Sequence, residues 1–409
     1  VNFSRQFYFD FFKTQQQEVV LFLVSSLFVA LFLPMLAVES IIVAVIAIYS
    51  LFFCFSANKS FSKKSIVFLF FIAWYVWICI SGLWGSDIEG FIAAIRIKSV
   101  IIGLAFSFLF FDRFSNKSIQ SFSVLVISVV LLSSVFVLLN FHMNRDEILK
   151  NILTGSPIPV PMRSHIRYSI ICNWALMLAL YQSFYRSKLK SFSFFIWFLI
   201  ASFILLYLFF IAVKIGILIA FIILFCFAGF HIVDSKYSVL KALLSFLLLG
   251  AIAWMILLQF PTFQNKLAYI KYDLMRYQQS DTRHYSDGER IQSIRQGIQI
   301  AKSSPWIGVG EGNVRNYIDR NNPDDVKLPH NQFVLIWAQN GVIGFILFLL
   351  CFATGFISAF RERNILLFCT VISSLFACMV EPMLETQLGA AVFIIPWCLF
   401  SSNSYRARL

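Results

Sequence analysis

Apolar runs of about 20 residues recur from one end of this 409-residue chain to the other, and each can cross a hydrocarbon core of about 30 Å as a helix. Twelve such spans are counted: 18–34, 38–56, 65–84, 93–111, 121–141, 166–185, 192–212, 214–232, 239–259, 333–359, 364–383 and 386–402. The runs are continuous and do not alternate, which excludes a β-barrel. No unit of about 20–50 residues repeats, so a solenoid is excluded as well. Charged residues make up only 13% of the chain, about half the share found in a soluble domain. The expected fold class is therefore an all-α polytopic membrane protein with about 12 transmembrane helices.

Charge placement sets the orientation. An even number of spans puts both termini on one side. The short loops on that side hold Lys59, Lys63, Lys64, Arg113, Lys117, Arg186, Lys188, Lys190, Lys236, Lys241, Arg361 and Arg363, which marks it as cytoplasmic. The start, VNFSRQFYFDFFKTQQQ, is read as an interfacial segment ahead of an uncleaved first span. The chain then divides into 1–259 with spans one to nine, an outer loop at 260–332, and 333–409 with spans ten to twelve. A formal charge of +13 would suggest nucleic acid in a soluble protein. Here it reads as membrane anchoring or as complement to an anionic lipid, and no nucleic-acid partner is expected. All eight cysteines fall in apolar runs and read as small buried hydrophobes without disulfides.

The outer face gathers polar residues that anchoring does not account for. In SDGERIQSIRQGIQIAKSSPWIGVGEGN, 286–313, the residues Ile291, Ile294, Ile298 and Ala301 form one helical stripe. Ser286 and Glu289 are spaced as a capping box, which places Arg290 in the first turn. Pro305 ends the helix, and GVGEG reads as a flexible turn, lacking the strand and the Lys-Ser/Thr of a phosphate loop. In PIPVPMRSHIRYS, 157–169, Arg163 and Arg167 share a face with His165 nearby if the helix begins by Arg163. Lys214 lies between spans seven and eight, and Glu381 and Glu385 in the turn between spans eleven and twelve. His330 and Asn331 stand at the mouth of span ten. Histidine is suited to proton transfer near neutrality, and arginine to bidentate contact with phosphate oxygens. A lipid-linked diphosphate would be such a ligand. Asp324 and Asp325 form the one tight acid pair of the loop and read as a solvated turn, so no metal is expected.

These residues and their order resemble the O-antigen ligase family, which overlaps with O-antigen polymerases and bacterial protein O-oligosaccharyltransferases. The likeness rests on the twelve-span layout, on His330 followed by ten residues and Gly341, and on the helix of Arg290 leading to Pro305, Gly308 and Gly310. HIRYS at 165–169 and LETQLG at 384–389 add to it. The resemblance implies a GT-C-like fold in the bacterial inner membrane, with a large periplasmic loop between spans nine and ten and a periplasmic active site. It implies inverting, metal-independent and cofactor-free transfer of a glycan from undecaprenyl diphosphate to the lipid A–core oligosaccharide. In that scheme Arg163 or Arg167, Lys214 and Arg290 hold the diphosphate, and Arg283 assists. His330 is the base, and Asn331 and Glu385 contact substrate. Lys214 departs from the arginine usual in the family, keeping the charge and losing the bidentate fork. An O-antigen polymerase, a protein O-oligosaccharyltransferase and, in another class, a transporter of amphipathic lipids stand as alternatives; the last predicts symmetry between halves that the sequence lacks. The number of subunits stays open.

Overall fold

The structure is a computed structural model of the full chain, and it describes residues 17–33, 35–57, 66–109, 114–187, 191–235, 255, 258–278, 286–321 and 327–401. Among these every regular element is helical. The first half runs α1 (Gln17–Ala30), α2 (Leu36–Ala57), α3 (Ile66–Ser81), α4 (Ile88–Leu109), α5 (Asn116–Met143), α6 (Arg145–Leu153), α7 (His165–Tyr181), α8 (Phe192–Phe210) and α9 (Lys214–Ser235). The second runs α10 (Pro261–Gln278), α11 (Ser286–Ser303), α12 (Val314–Asn321), α13 (Gln332–Arg361), α14 (Ile365–Val380) and α15 (Gln387–Ser401).

The helices begin where side chains can satisfy the orphan amides of a first turn. Ser115, Ser164, Ser191, Asn331 and Asn364 each cap one, accepting from the N–H three residues on. Eleven of the twelve predicted spans fall on helices, at α1–α5, α7–α9 and α13–α15. The ninth, 239–259, lies almost wholly outside the described residues. Five helices among the described residues are long and apolar enough to cross a membrane, and five shorter ones are apolar. Phe22, Phe52, Leu132 and Phe192 on the outside of the bundle are 70–82% exposed, a surface suited to lipid and not to water. The chain is a polytopic membrane protein.

Aromatic pairs tie the largely aliphatic core together. Trp74 of α3 packs at a tilt on Phe348 of α13 with ring centroids 4.9 Å apart, and Phe71 meets Trp397 of α15 edge-on at 5.3 Å. Gly355 lets α13 close on Trp397. The middle helix α7 is tied to its neighbours by polar bonds that leave few groups unsatisfied. Tyr168 Oη meets Ser133 of α5 at 2.8 Å and Tyr207 of α8 at 3.0 Å, and Asn173 donates to the Gly216 carbonyl of α9 at 2.9 Å.

Three expectations change. The buried face of α11 is Ser293, Gly297, Ile300 and Ala301, while Ile291 is 39% exposed. The reason is steric: Gly297 lets α11 lie directly on Pro329 and Val334 at the start of α13, so the inward face is Ser293, Gly297, Ile300 and Ala301 and Ile291 is turned outward. Helix α7 starts at His165 with Ser164 as its cap, so Arg163 precedes the helix and shares no helical face with Arg167. GVGEG is not a free turn. Span ten breaks at Gly341, where φ is +65°, and the 304–312 segment fills the break. Val309 N–H donates to Ala338 O at 2.9 Å and Gly310 N–H to Gln339 O at 3.0 Å, while Val342 N–H donates back to Pro305 O at 2.9 Å. Non-helical backbone inside an apolar bundle persists only where protein satisfies it.

Candidate functional site

Arg290, Glu381 and His330 converge at one end of the bundle. Arg290 projects from the first turns of α11, Glu381 follows the last residue of α14, and His330 precedes α13. Arg290 Nη2 lies 2.9 Å from Glu381 Oε1. Glu381 Oε2 faces His330 Nδ1 at 3.6 Å, just beyond hydrogen-bond length. His330 is fixed by its backbone, whose N–H donates to Ser293 Oγ on α11 at 3.2 Å. Its Nδ1 is buried while the side chain as a whole is 26% exposed, so the accessible part of the ring is turned away from the carboxylate. Burial would push the Glu381 carboxyl up, but His330, Arg290 and Arg167 around it outweigh burial and hold it below the usual carboxylate range. An ionised acid behind an imidazole can fix the orientation of the ring.

Arg290 and Glu381 also line a cavity of about 210 Å³ between α7, α10 and the turn joining α8 to α9. His165, Lys214, Lys266, Tyr269 and Ser156 add to its polar lining. Lys266 lies over the Tyr269 ring at 5.2 Å. Lys214 is the first residue of α9, set by a turn in which Ala212 takes a left-handed φ of +52°, an uncommon conformation for a residue with a β-carbon. Three cations, Arg290, Lys214 and Lys266, together with the His165 imidazole and against one carboxylate, make the chamber suited to an anion.

The other expected residues divide. Arg167 stands close enough to Glu381 to act on its charge; its Nη1 contacts Ser164 Oγ at 3.2 Å. Arg163 is exposed, with Nη2 reaching the Leu33 carbonyl at 3.4 Å. Asn331 caps α13 and donates to Met379 O at 2.9 Å, so both ends of its amide are engaged. Glu385 accepts from Gln332 at 3.1 Å and pairs with Lys98 at 3.0 Å. Arg283, Asp324 and Asp325 lie outside the described residues, as does the side chain of Ser286. Among the described residues no group of three His, Cys, Asp or Glu is placed to hold a metal.

The sequence reading passed over Lys98, Glu311 and Asn340. Lys98 of α4 is 1% exposed and its Nζ lies 2.8 Å from Glu311 Oε1, itself fully buried. Asn340 donates to Glu311 Oε2 at 2.9 Å and to Ser81 Oγ at 2.9 Å. A lysine well inside an apolar run was the available signal. In the sequence Glu381 reads as a turn acid, with nothing to join it to His330.

Compared with known protein families, residues 174–349 match the family model described as O-antigen ligase. The matched region holds Lys214, Arg290 and His330, and stops short of Glu381. No curated protein matches the chain.

Proposed function

With the match over residues 174–349 supporting membership of the O-antigen ligase family, we propose that this membrane protein is a glycosyltransferase moving a glycan from undecaprenyl diphosphate to the lipid A–core oligosaccharide. The observation that carries the reading is the Arg290–Glu381–His330 cluster on the wall of a cation-lined cavity. In this reading the protein spans the inner membrane twelve times, its termini are cytoplasmic and the cavity opens to the periplasm.

The donor diphosphate occupies the cavity against Arg290, Lys214 and Lys266, with His165 at its side and Arg283 assisting from the same loop. Arg167 acts on the site through Glu381. The acceptor hydroxyl approaches the exposed part of the His330 ring, which removes its proton. The oxygen attacks the anomeric carbon, and the bond from that carbon to the diphosphate oxygen breaks with inversion. The electron pair leaves with the diphosphate, where preorganised cations stabilise it. Glu381 balances the charge His330 acquires. General-base help of this kind contributes about 10²–10⁴-fold.

The test is His330→Ala in a strain lacking the native gene, with membrane expression checked. Lipopolysaccharide and the undecaprenyl-linked glycan pool are read side by side. The expected result is loss of all capped lipopolysaccharide while long lipid-linked chains persist. Retention of a single attached repeat with loss of longer chains would instead assign a polymerase. Unchanged capping would remove His330 from the chemistry. Failure of the wild type to restore capping would end the ligase reading.

A further inference from the structure

We propose that Lys98 is a positioning residue for the Arg290–Glu381–His330 site, holding the segments that carry it in one arrangement through Glu311 and Glu385; the role rests on the transfer reaction proposed above. Lys98 is buried in α4 and lines no part of the cation-lined cavity. Its Nζ bridges two carboxylates from distant segments, Glu311 at 2.8 Å and Glu385 at 3.0 Å.

Each carboxylate is tied in turn to α13. Glu311 accepts from Asn340, one residue before the break at Gly341. Glu385 accepts from Gln332, the first residue of α13, whose own Oε1 accepts from the Leu384 amide at 2.8 Å. The three members of the site sit on these same segments. Arg290 rides on α11, whose C-terminal continuation ends in Glu311. Glu381 opens the turn that holds Glu385. His330 stands two residues before Gln332.

A buried ionic group is a weak device for stability, because apolar packing of equal volume does as well. What it can add is register, since only one arrangement gives the ammonium and both carboxylates a partner. Here the register fixed is that of the loop after α11 against the turn after α14. Displacing catalytic groups by about 1 Å can cost on the order of 10²-fold in rate.

The test uses the full-length protein in vesicles with lipid-linked glycan donor and lipid A–core acceptor. Lys98→Met and Glu385→Gln are each expected to lower kcat by about 10²-fold with the donor KM unchanged, since the cavity lining is intact. Lys98→Arg is expected to recover part of the loss. Hydrogen exchange on the same samples without substrate is expected to show lost protection across 304–313 and 379–387 in Lys98→Met. Should Lys98→Met fail to fold, Glu385→Gln, which keeps the Lys98–Glu311 pair, decides the matter. An unchanged kcat in Glu385→Gln, or a rise confined to donor KM, overturns the proposal. If the wild type transfers no glycan, the proposed reaction falls. The exchange data then decide the coupling by themselves: lost protection supports it, and unchanged protection overturns it.

Discussion

Glu381 is the residue on which the site turns, because it meets both the guanidinium of Arg290 and the imidazole of His330. Its carboxyl is held below the ordinary value of 4.5. A depressed carboxylate contributes stability that is fully present above its unfolded value and is lost as pH falls through its lowered folded value. Wild-type protein is therefore expected to lose thermal stability in detergent as pH falls below about 4.5, and Glu381→Gln to show a flatter acid limb. Equal acid limbs would remove Glu381 from the pairing. Glu381→Gln is also expected to lower glycan transfer by about 10-fold or more, since a buried partner for Arg290 and His330 is lost. His330, Arg290 and Lys214 were legible in the sequence because polar side chains next to apolar runs are costly and so stand out. Glu381 was harder to place, since nothing in a linear string brings 381 beside 290 and 330. Arg163 misled because a helix cap one residue later rotates it off the face it seemed to share with Arg167.

At the scale of elements, the break in α13 is held open by glycines on both sides. Gly341 has φ of +65° and Gly308 of +74°, and a β-carbon on either would overlap backbone of the opposite segment. Gly341→Ala and Gly308→Ala are each expected to cost about 1–3 kcal/mol in backbone strain alone, read as a lowered melting temperature and reduced monodisperse yield. Gly229 in α9 has open space around it. Gly229→Ala is the matched control, expected to be neutral or to gain about 0.5–1 kcal/mol. Comparable losses at all three positions would mean the glycines share only a helical effect. The helices themselves were readable because continuous apolar runs bounded by Ser, Asn and Lys leave few other options. The break was not. Glycine is common in membrane helices, and the left-handed φ that makes this one different is set by backbone hydrogen bonds from a segment some 30 residues earlier.

For the whole molecule, the proposed sidedness puts α11 in the periplasm. Gln299 is exposed on that helix. Gln299→Cys is expected to react with a membrane-impermeant maleimide in cells whose outer membrane alone is opened. Reaction only after the inner membrane is breached would reverse the orientation. Background should be low, since seven of the eight cysteines are free thiols, six buried and Cys79 partly so.

Lys98 and Glu311 are 213 residues apart, and that separation is also an interval of time. At about 5–20 residues per second, a ribosome takes roughly 10–40 s to travel from one to the other. Throughout it the ammonium of α4 lacks both of the carboxylates that pair with it in the finished fold, and a flexible stem lets such a charge reach toward the headgroups. Only when 304–313 arrives can the lysine be sealed inside, and only when α13 follows is that segment locked in place. The partners that seal Lys98 are thus made long after it, and a copy halted before Glu311 lacks both carboxylates that the finished one supplies.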